Sequence, residues 1–413
     1  MIKNMYLLCL IIFSFSVVLC ANYKNLLKTS DNKLDTRKEG QIIMKKNSKM
    51  EEERFYYEVG CSGPRLAPGE YVSVDFIGES GTLRPFGNNS VKSGIGGGVD
   101  GVARDRSKKY GLPKAIEATW VSYTDRKVYS VSTLIPYDTI LSLFRDGGVP
   151  CIPLSQDSTG EEMTRLIQSL NLCFLPGGKV MLYAKAPVKR ILLDWSAVGT
   201  EVTDDEILSD VYGRWGLKNM EEYYDEFYSD EFSNYEPWRK YVRKHGTLAP
   251  LLERYLQRFN YTLNFEFENQ ETSIYSVESK FTNGERYSRT SKYNEAFERP
   301  SRLKEFWAMW DYNDSRYSCY MYFNEAEMLK VFDEAYGEDR TQKGELKIKV
   351  CKYNNLFDIS LNVGDKSIKL EKTAIRVFRR PIENPTKEGE LIYKNYEGNH
   401  TNFFADDEKY VGE

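Results

Sequence analysis

Two histidines among 413 residues, His245 and His400, set the first limits on what this chain can do chemically. A multi-histidine metal site cannot be built from them. A Ser-His-Asp machine would have to use one of the two, yet His245 lies in the basic run YVRKHG and His400 in a polar C-terminal stretch. Both read as solvated surface. There is no GxSxG nucleophile elbow and no CxxC, so neither an activated serine nor a redox or zinc-knuckle motif is indicated. The glycine-rich stretch 94–101, GIGGGVDG, is not followed by Lys-Ser or Lys-Thr and is not framed by a strand and a helix; it reads as a flexible loop rather than a phosphate cradle. The acidic run 221–231 lacks the alternating oxygen ligands and central glycine of a calcium loop and reads as the solvated face of a helix. Carboxylate chemistry stays open, because glycoside cleavage needs two acids at a suitable distance and 61 acidic residues are present with no pair standing out. No catalytic, cofactor-binding or metal-ligating residue is assigned, and no cofactor is expected.

The elements that would position any site are organised around residues 112–146, LPKAIEATWVSYTDRKVYSVSTLIPYDTILSLFRD. Ile116, Ala118 and Trp120 alternate with more polar neighbours, the pattern breaks at Thr124-Asp125-Arg126, and it resumes through Val128, Ser130, Ser132 and Leu134. That spacing predicts two strands around a tight turn. Pro136 suits a first helical turn, Tyr137, Ile140, Leu141 and Phe144 follow at i, i+3, i+4 and i+7, and Gly147-Gly148 ends the helix. The same series recurs over 300–337. Trp307 falls in the place of Trp120, and Tyr317 answers Tyr129 with one residue inserted. Asn324 with Glu327 reads as an N-cap with a capping box, Met328, Leu329 and Phe332 replace Ile140, Leu141 and Phe144, and Gly337 closes the helix. Strand patterns precede and follow both copies in the same succession.

The expected fold class is therefore α+β, with two similar modules, 55–199 and 260–380. Each would be a mainly antiparallel sheet with one covering helix. A charged helical connector, 200–259, joins them, and 381–413 is a polar, loosely held tail. Thirty tyrosines and 21 phenylalanines favour strands. A net charge of -4 provides no whole-protein field for nucleic acid, which is not an expected partner.

Residues 1–21 carry Lys3 and then an apolar run from Tyr6 to Leu19, as a secretory signal does. Val17-Val18-Leu19-Cys20 resembles a lipobox with a bulky Leu19, which makes Cys20 the lipidation candidate; cleavage after Ala21 without lipid is the alternative. Residues 22–54 read as a polar tether. Beyond the signal stand Cys61, Cys151, Cys173, Cys319 and Cys351. Cys151 with Cys173, and Cys319 with Cys351, are the pairs to inspect, and buried reduced cysteines are the alternative.

LPKAIEATWVSYTDRKVYSVSTLIPYDTILSLFRDG followed by LPGGKVMLYAKAPVKRILLDW resembles the bacterial domain of unknown function 2931 family, over roughly residues 55–198. A Leu-Pro start, a tryptophan, a tyrosine on the next strand, a Pro-Tyr-led helix and a Pro-Gly-Gly hairpin recur in this order in that family. The residues carrying the resemblance are Trp120, Tyr129, Pro136, Tyr137, Phe144, Gly177 and Gly178. The second half follows by pattern only, without the Leu-Pro start and the Pro-Gly-Gly turn. The aromatic members should meet between helix and sheet, each worth about 1.5 to 3 kcal/mol of burial. The resemblance implies an exported or lipid-anchored bacterial protein without an assigned reaction, some relatives being similar to immunity proteins that neutralise toxins. It transfers no catalytic residue. The expected function is thus a non-catalytic binding protein of the envelope, periplasmic or outer-membrane associated, with a protein partner. The alternative is an envelope hydrolase acting on glycan through Asp or Glu.

Overall fold

The computed structural model describes residues 53–397 except 65–66, 68, 86–89, 92–93, 98–107, 146–168, 187–188, 233–240, 242, 291–298 and 385–387. The signal, most of the tether, Cys20, Cys151, Gly147-Gly148 and His400 lie outside the described residues. Glu53–Glu413 forms one compact unit.

In chain order the first half contains strands β1 (Arg54–Phe55), β2 (Glu58–Ser62), β3 (Gly69–Gly78), β4 (Gly81–Leu83), β5 (Ser90–Val91), β6 (Tyr110–Gly111), β7 (Ala115–Ser122) and β8 (Lys127–Leu134). Helix α1 (Tyr137–Arg145) follows, then β9 (Ser169–Leu175), β10 (Lys179–Lys185), β11 (Lys189–Val198) and β12 (Thr200–Glu201). Helices α2 (Asp205–Gly213), α3 (Met220–Phe232) and α4 (Ala249–Leu256) lead to β13 (Tyr261–Phe267), β14 (Ser273–Phe281), β15 (Arg286–Thr290), β16 (Leu303–Tyr312) and β17 (Ser315–Tyr322). Helix α5 (Glu325–Tyr336) precedes β18 (Gly344–Val350), β19 (Phe357–Val363), β20 (Lys366–Lys369), β21 (Ala374–Pro381) and β22 (Glu390–Lys394). The chain is mostly β-sheet with few helices.

The sheets do not follow the expected plan of one antiparallel sheet per helix. After α1 the chain leaves the β3-β7-β8 meander, and β9 pairs in parallel with β2. After α5 it leaves β14-β16-β17, and β18 pairs in parallel with β13. The cause is visible in β9, SLNLCFL, which is buried at every position and must be covered on both faces. One face of β9 and β10 meets Trp120 and Ile116 of the meander, and the other meets Leu251, Leu252 and Tyr255 of α4. A sheet of order β2-β9-β10-β11-β15-β14-β16-β17-β21-β22 results, running through both halves of the chain. The β12-β8-β7-β3-β4 sheet and the β13-β18-β19-β20 sheet close two separate hydrophobic cores against it.

Local details follow the sequence closely. Ile140 and Phe144 are the buried residues of α1, while Asn324 caps α5 by accepting the Glu327 N–H at 3.0 Å. The Glu327 carboxylate, expected to return to the cap, instead accepts from the Glu371 and Lys372 N–H groups and so ties α5 to the β20-β21 connection. Two further expectations are corrected. Residues 94–97, Gly-Ile-Gly-Gly, form a buried turn in which Gly94 N–H donates to Gly63 O and Gly96 N–H to Cys173 Sγ; a Cβ on Gly96 would stand 2.7 Å from the Tyr183 ring, so Gly96 serves close packing rather than flexibility. In the tail, β22 adds to the edge of β21 through a register shift, with Ile392 and Tyr393 half-buried against the core.

Candidate functional site

The β16-β17 hairpin builds the most developed surface site. LKEFWAMWDY places Phe306, Ala308 and Trp310 in the core, and pairing places Glu305 and Trp307 on the other face. A two-residue turn, Asn313-Asp314, sets the register, with Asn313 at φ 50° in the left-handed region that asparagine tolerates. Directly opposed residues share a face, so the pairing Glu278–Trp307–Tyr320–Arg376–Lys394 forms one row across β14, β16, β17, β21 and β22. Arg286–Lys280–Glu305–Tyr322 forms the next.

Glu278, Trp307, Tyr320 and Arg376 of the first row, with Lys280, Glu305 and Tyr322 of the second, line an open cleft of about 400 Å³. The Trp307 and Tyr320 rings lie 6.0 Å apart, and the Arg376 guanidinium sits 4.8 Å over the Tyr320 ring. Among the described residues the buried Trp307 Nε1–H meets no acceptor. Both carboxylates are engaged by cations: Lys280 Nζ lies 2.7 Å from Glu305, and Arg286 Nη2 lies 2.6 Å from Glu278. Burial raises the Glu305 pKa, but Lys304 and Lys280 outweigh it and hold the carboxyl below the usual glutamate value. Glycoside cleavage needs a carboxylic acid kept protonated near neutrality, and Glu305 is tuned the opposite way. Aromatic residues and arginine are the residue types enriched at protein interfaces. Among the described residues no group of three or more His, Cys, Asp or Glu could hold a metal ion.

The seven motif residues of the first half fall elsewhere, in two groups. Trp120 pairs across the hairpin with Tyr129, rings 5.6 Å apart, and stacks on Phe174 at 4.8 Å. Phe144 instead meets Phe55 and Tyr57 edge-on, and Tyr137 stands half-buried beneath Lys114. Pro136 precedes α1 and its carbonyl accepts the Ile140 N–H. Gly177 and Gly178 form the β9-β10 turn with φ of 81° and 73°. A Cβ on Gly178 would stand 2.8 Å from the Tyr129 ring, and one on Gly199, which sequence reasoning missed, 2.4 Å from Trp120. Asp125, also missed, fastens the two turns together, since its carboxylate accepts from Gly177 N–H at 2.6 Å, Ser122 Oγ and Tyr129 OH.

Register also corrects the residue correspondence expected over 300–337. Trp310 lies opposite Tyr317, as Trp120 lies opposite Tyr129, with rings 5.7 Å apart and stacked; Trp307 lies opposite Tyr320 on the cleft side. The turn loop has two residues where the first hairpin has four, which shifted the alignment by sequence. The acidic run is likewise more than a solvated face: Tyr223 and Tyr224 of α3 are buried on the outer face of β7 and β8, and the Glu70 carboxylate accepts from the Tyr223 and Tyr123 hydroxyls at 3.1 Å each. His245 is exposed and stacks on Tyr241. Cys173, Cys319 and Cys351 are thiols, so no Cys319–Cys351 bridge forms.

Residues 44–232 match the model of the family described as "Protein of unknown function (DUF2931)". The match covers the first half and ends with α3; it does not reach the β16-β17 cleft. No curated protein and no solved structure matches the chain.

Proposed function

We propose that the chain is an exported, non-catalytic binding protein of the bacterial envelope with a protein partner, and that neutralising a secreted toxin is its most specific form. The observation that carries the binding reading is the open Trp307–Tyr320–Arg376 cleft, whose carboxylates are both held by cations. The polar tether and the apolar leader with Cys20 support export with lipid attachment, and no helix among the described residues is long and apolar enough to cross a membrane. Two acyl chains on Cys20 would anchor the protein lastingly, as one chain does not.

The reading includes two similar modules. Its support is the recurring order of pairing: a first strand parallel to the strand after the helix (β2 with β9, β13 with β18), a three-strand meander (β3-β7-β8, β14-β16-β17), and a late strand returning to the meander's last member (β12 to β8, β21 to β17). Affinity capture with the mature protein, from its own envelope and from a neighbouring strain's secreted proteins, tests the function. One stoichiometric protein partner is the expected result. Turnover of a glycan or ester, abolished by a single Asp or Glu change that leaves the fold intact, would replace binding by hydrolysis.

A further inference from the structure

We infer that the outer edge of β13 pairs in antiparallel register with β13 of a second copy of this chain, across a two-fold axis at Phe265. The inference goes beyond the binding reading above and does not depend on the cleft. β13 ends the β13-β18-β19-β20 sheet, and among the described residues no strand lies beyond it. Its ladder to β18 starts with Gly344 N–H donating to Asn260 O and ends with Glu268 N–H donating to Val350 O. In an evenly spaced parallel pair, that parity turns the N–H and C=O of Thr262, Asn264 and Glu266 toward β18. Leu263, Phe265 and Phe267 therefore hold an N–H and a C=O each out to the open edge. Three other edges are blunted: β20 carries Lys366 and Lys369, β22 carries Lys394 and a register shift against β21, and β4 is three residues long. β13, YTLNFEF, has no lysine, arginine or proline, and its register with β18 runs without a bulge. A long edge without such protection is a template for pairing.

The sequence of β13 selects its own copy as the occupant. About an axis at Phe265, Leu263 falls opposite Phe267 of the second copy, and Phe265 falls opposite Phe265 of the second copy. All of these residues face outward, so each outward N–H and C=O meets a partner in the hydrogen-bonded pairs of an antiparallel ladder. The apolar side chains also fall opposite one another, as favoured cross-strand pairs do. On the other face Asn264 meets Glu266 of the second copy and Thr262 meets Glu268 of the second copy, so no two like charges stand directly opposed. An axis at Asn264 would instead set Tyr261 opposite Phe267, yet the Tyr261 N–H already donates to Phe259 O at 3.1 Å. Leu263, Phe265 and Phe267 pack against the second core, with Phe265 edge-on to Phe306 and Trp310, so the edge belongs to a seated strand. The product is one continuous sheet, β20-β19-β18-β13 of one copy running into β13-β18-β19-β20 of the other.

The test is sedimentation equilibrium of the mature protein in detergent, from about 1 to about 100 µM, the range in which a micromolar association shows. A shift in mass from one chain to two is expected. Thr262 and Glu268 are both exposed, so changes there leave the core intact. Thr262→Glu sets a carboxylate opposite Glu268 of the second copy at both ends of the ladder and should weaken the dimer about ten-fold. Adding Glu268→Lys to Thr262→Glu restores opposite charges across the axis and should restore the dimer. Disulfide trapping reads the register. Thr262→Cys on one chain and Glu268→Cys on another become non-hydrogen-bonded partners with Cα atoms about 4.5 Å apart, within disulfide reach. Their oxidised mixture should cross-link, whereas either variant alone and the unmodified protein should not. A mass of one chain throughout would overturn the proposal, as would a dimer of equal strength in Thr262→Glu or a mixture that fails to cross-link. A dimer that appears only once residues 398–413 are removed would assign the edge to the chain's own C-terminal segment. A monomer whose capture of another protein is lost in Thr262→Glu would assign it to that protein, and either result overturns pairing with a second copy.

Discussion

At the scale of single residues, side chains decide how closely the layers approach. Gly178 combines a φ of 73° with a ring 2.8 Å from where its Cβ would be, so Gly178→Ala should cost about 1 to 3 kcal/mol in denaturant unfolding. A loss below about 0.5 kcal/mol would show that Tyr129 yields freely. Glu305 makes a pH prediction. Its folded pKa is depressed below 4.5, so its stabilisation is complete above the unfolded value and is lost as pH falls through the folded one. Glu305→Gln should therefore flatten the acid limb of stability below about pH 4.5; an unchanged limb would mean that the lysines do not hold the carboxylate in solution. Burial raises the Cys173 thiol to about 11, so alkylation at neutral pH should spare Cys173 and the buried Cys319 while modifying the half-buried Cys351, as peptide mapping would record.

Elements were the most legible scale in the sequence. Alternation and caps located β7, β8, α1, β16, β17 and α5, because period and capping chemistry are local. What stayed hidden was pairing between elements. Trp307 and Trp310 are both acceptable partners for a tyrosine until a two-residue turn fixes the register, and a one-residue slip in a strand exchanges its faces. Nothing within the run MEEYYDEFYSDEF announces that Glu70, 153 positions earlier, accepts a hydroxyl hydrogen bond from Tyr223. Tyr223→Ala should leave a cavity and a buried carboxylate with one partner fewer, costing about 3 kcal/mol, and should release α3 to proteolysis before the sheets. Cleavage elsewhere first would show that α3 is held by other contacts.

For the whole molecule, the join between β11 and β15 is short: two residue pairs, backed by the Glu285 carboxylate. That side chain is 1% exposed and accepts from Arg258 at 2.8 and 2.9 Å, from Leu192 N–H and from Asn283 Nδ2. Removing one member of a buried ionic group costs about 3 to 5 kcal/mol, so Glu285→Ala should split thermal unfolding into two calorimetric steps where the native protein shows one. The cleft lies on the ten-stranded sheet, while the family match covers the first half. The cleft was not legible from sequence because its residues come from β14, β16, β17 and β21, spread over about 100 positions, and only pairing assembles them. Hydrogen exchange on the complex of the mature protein with its captured partner is the most direct measurement of binding at this surface. Slowed exchange is predicted at β16, β17 and β21 around Trp307, Tyr320 and Arg376, with β7 and β8 unchanged; protection confined to the first half, or absent from the second, would contradict it.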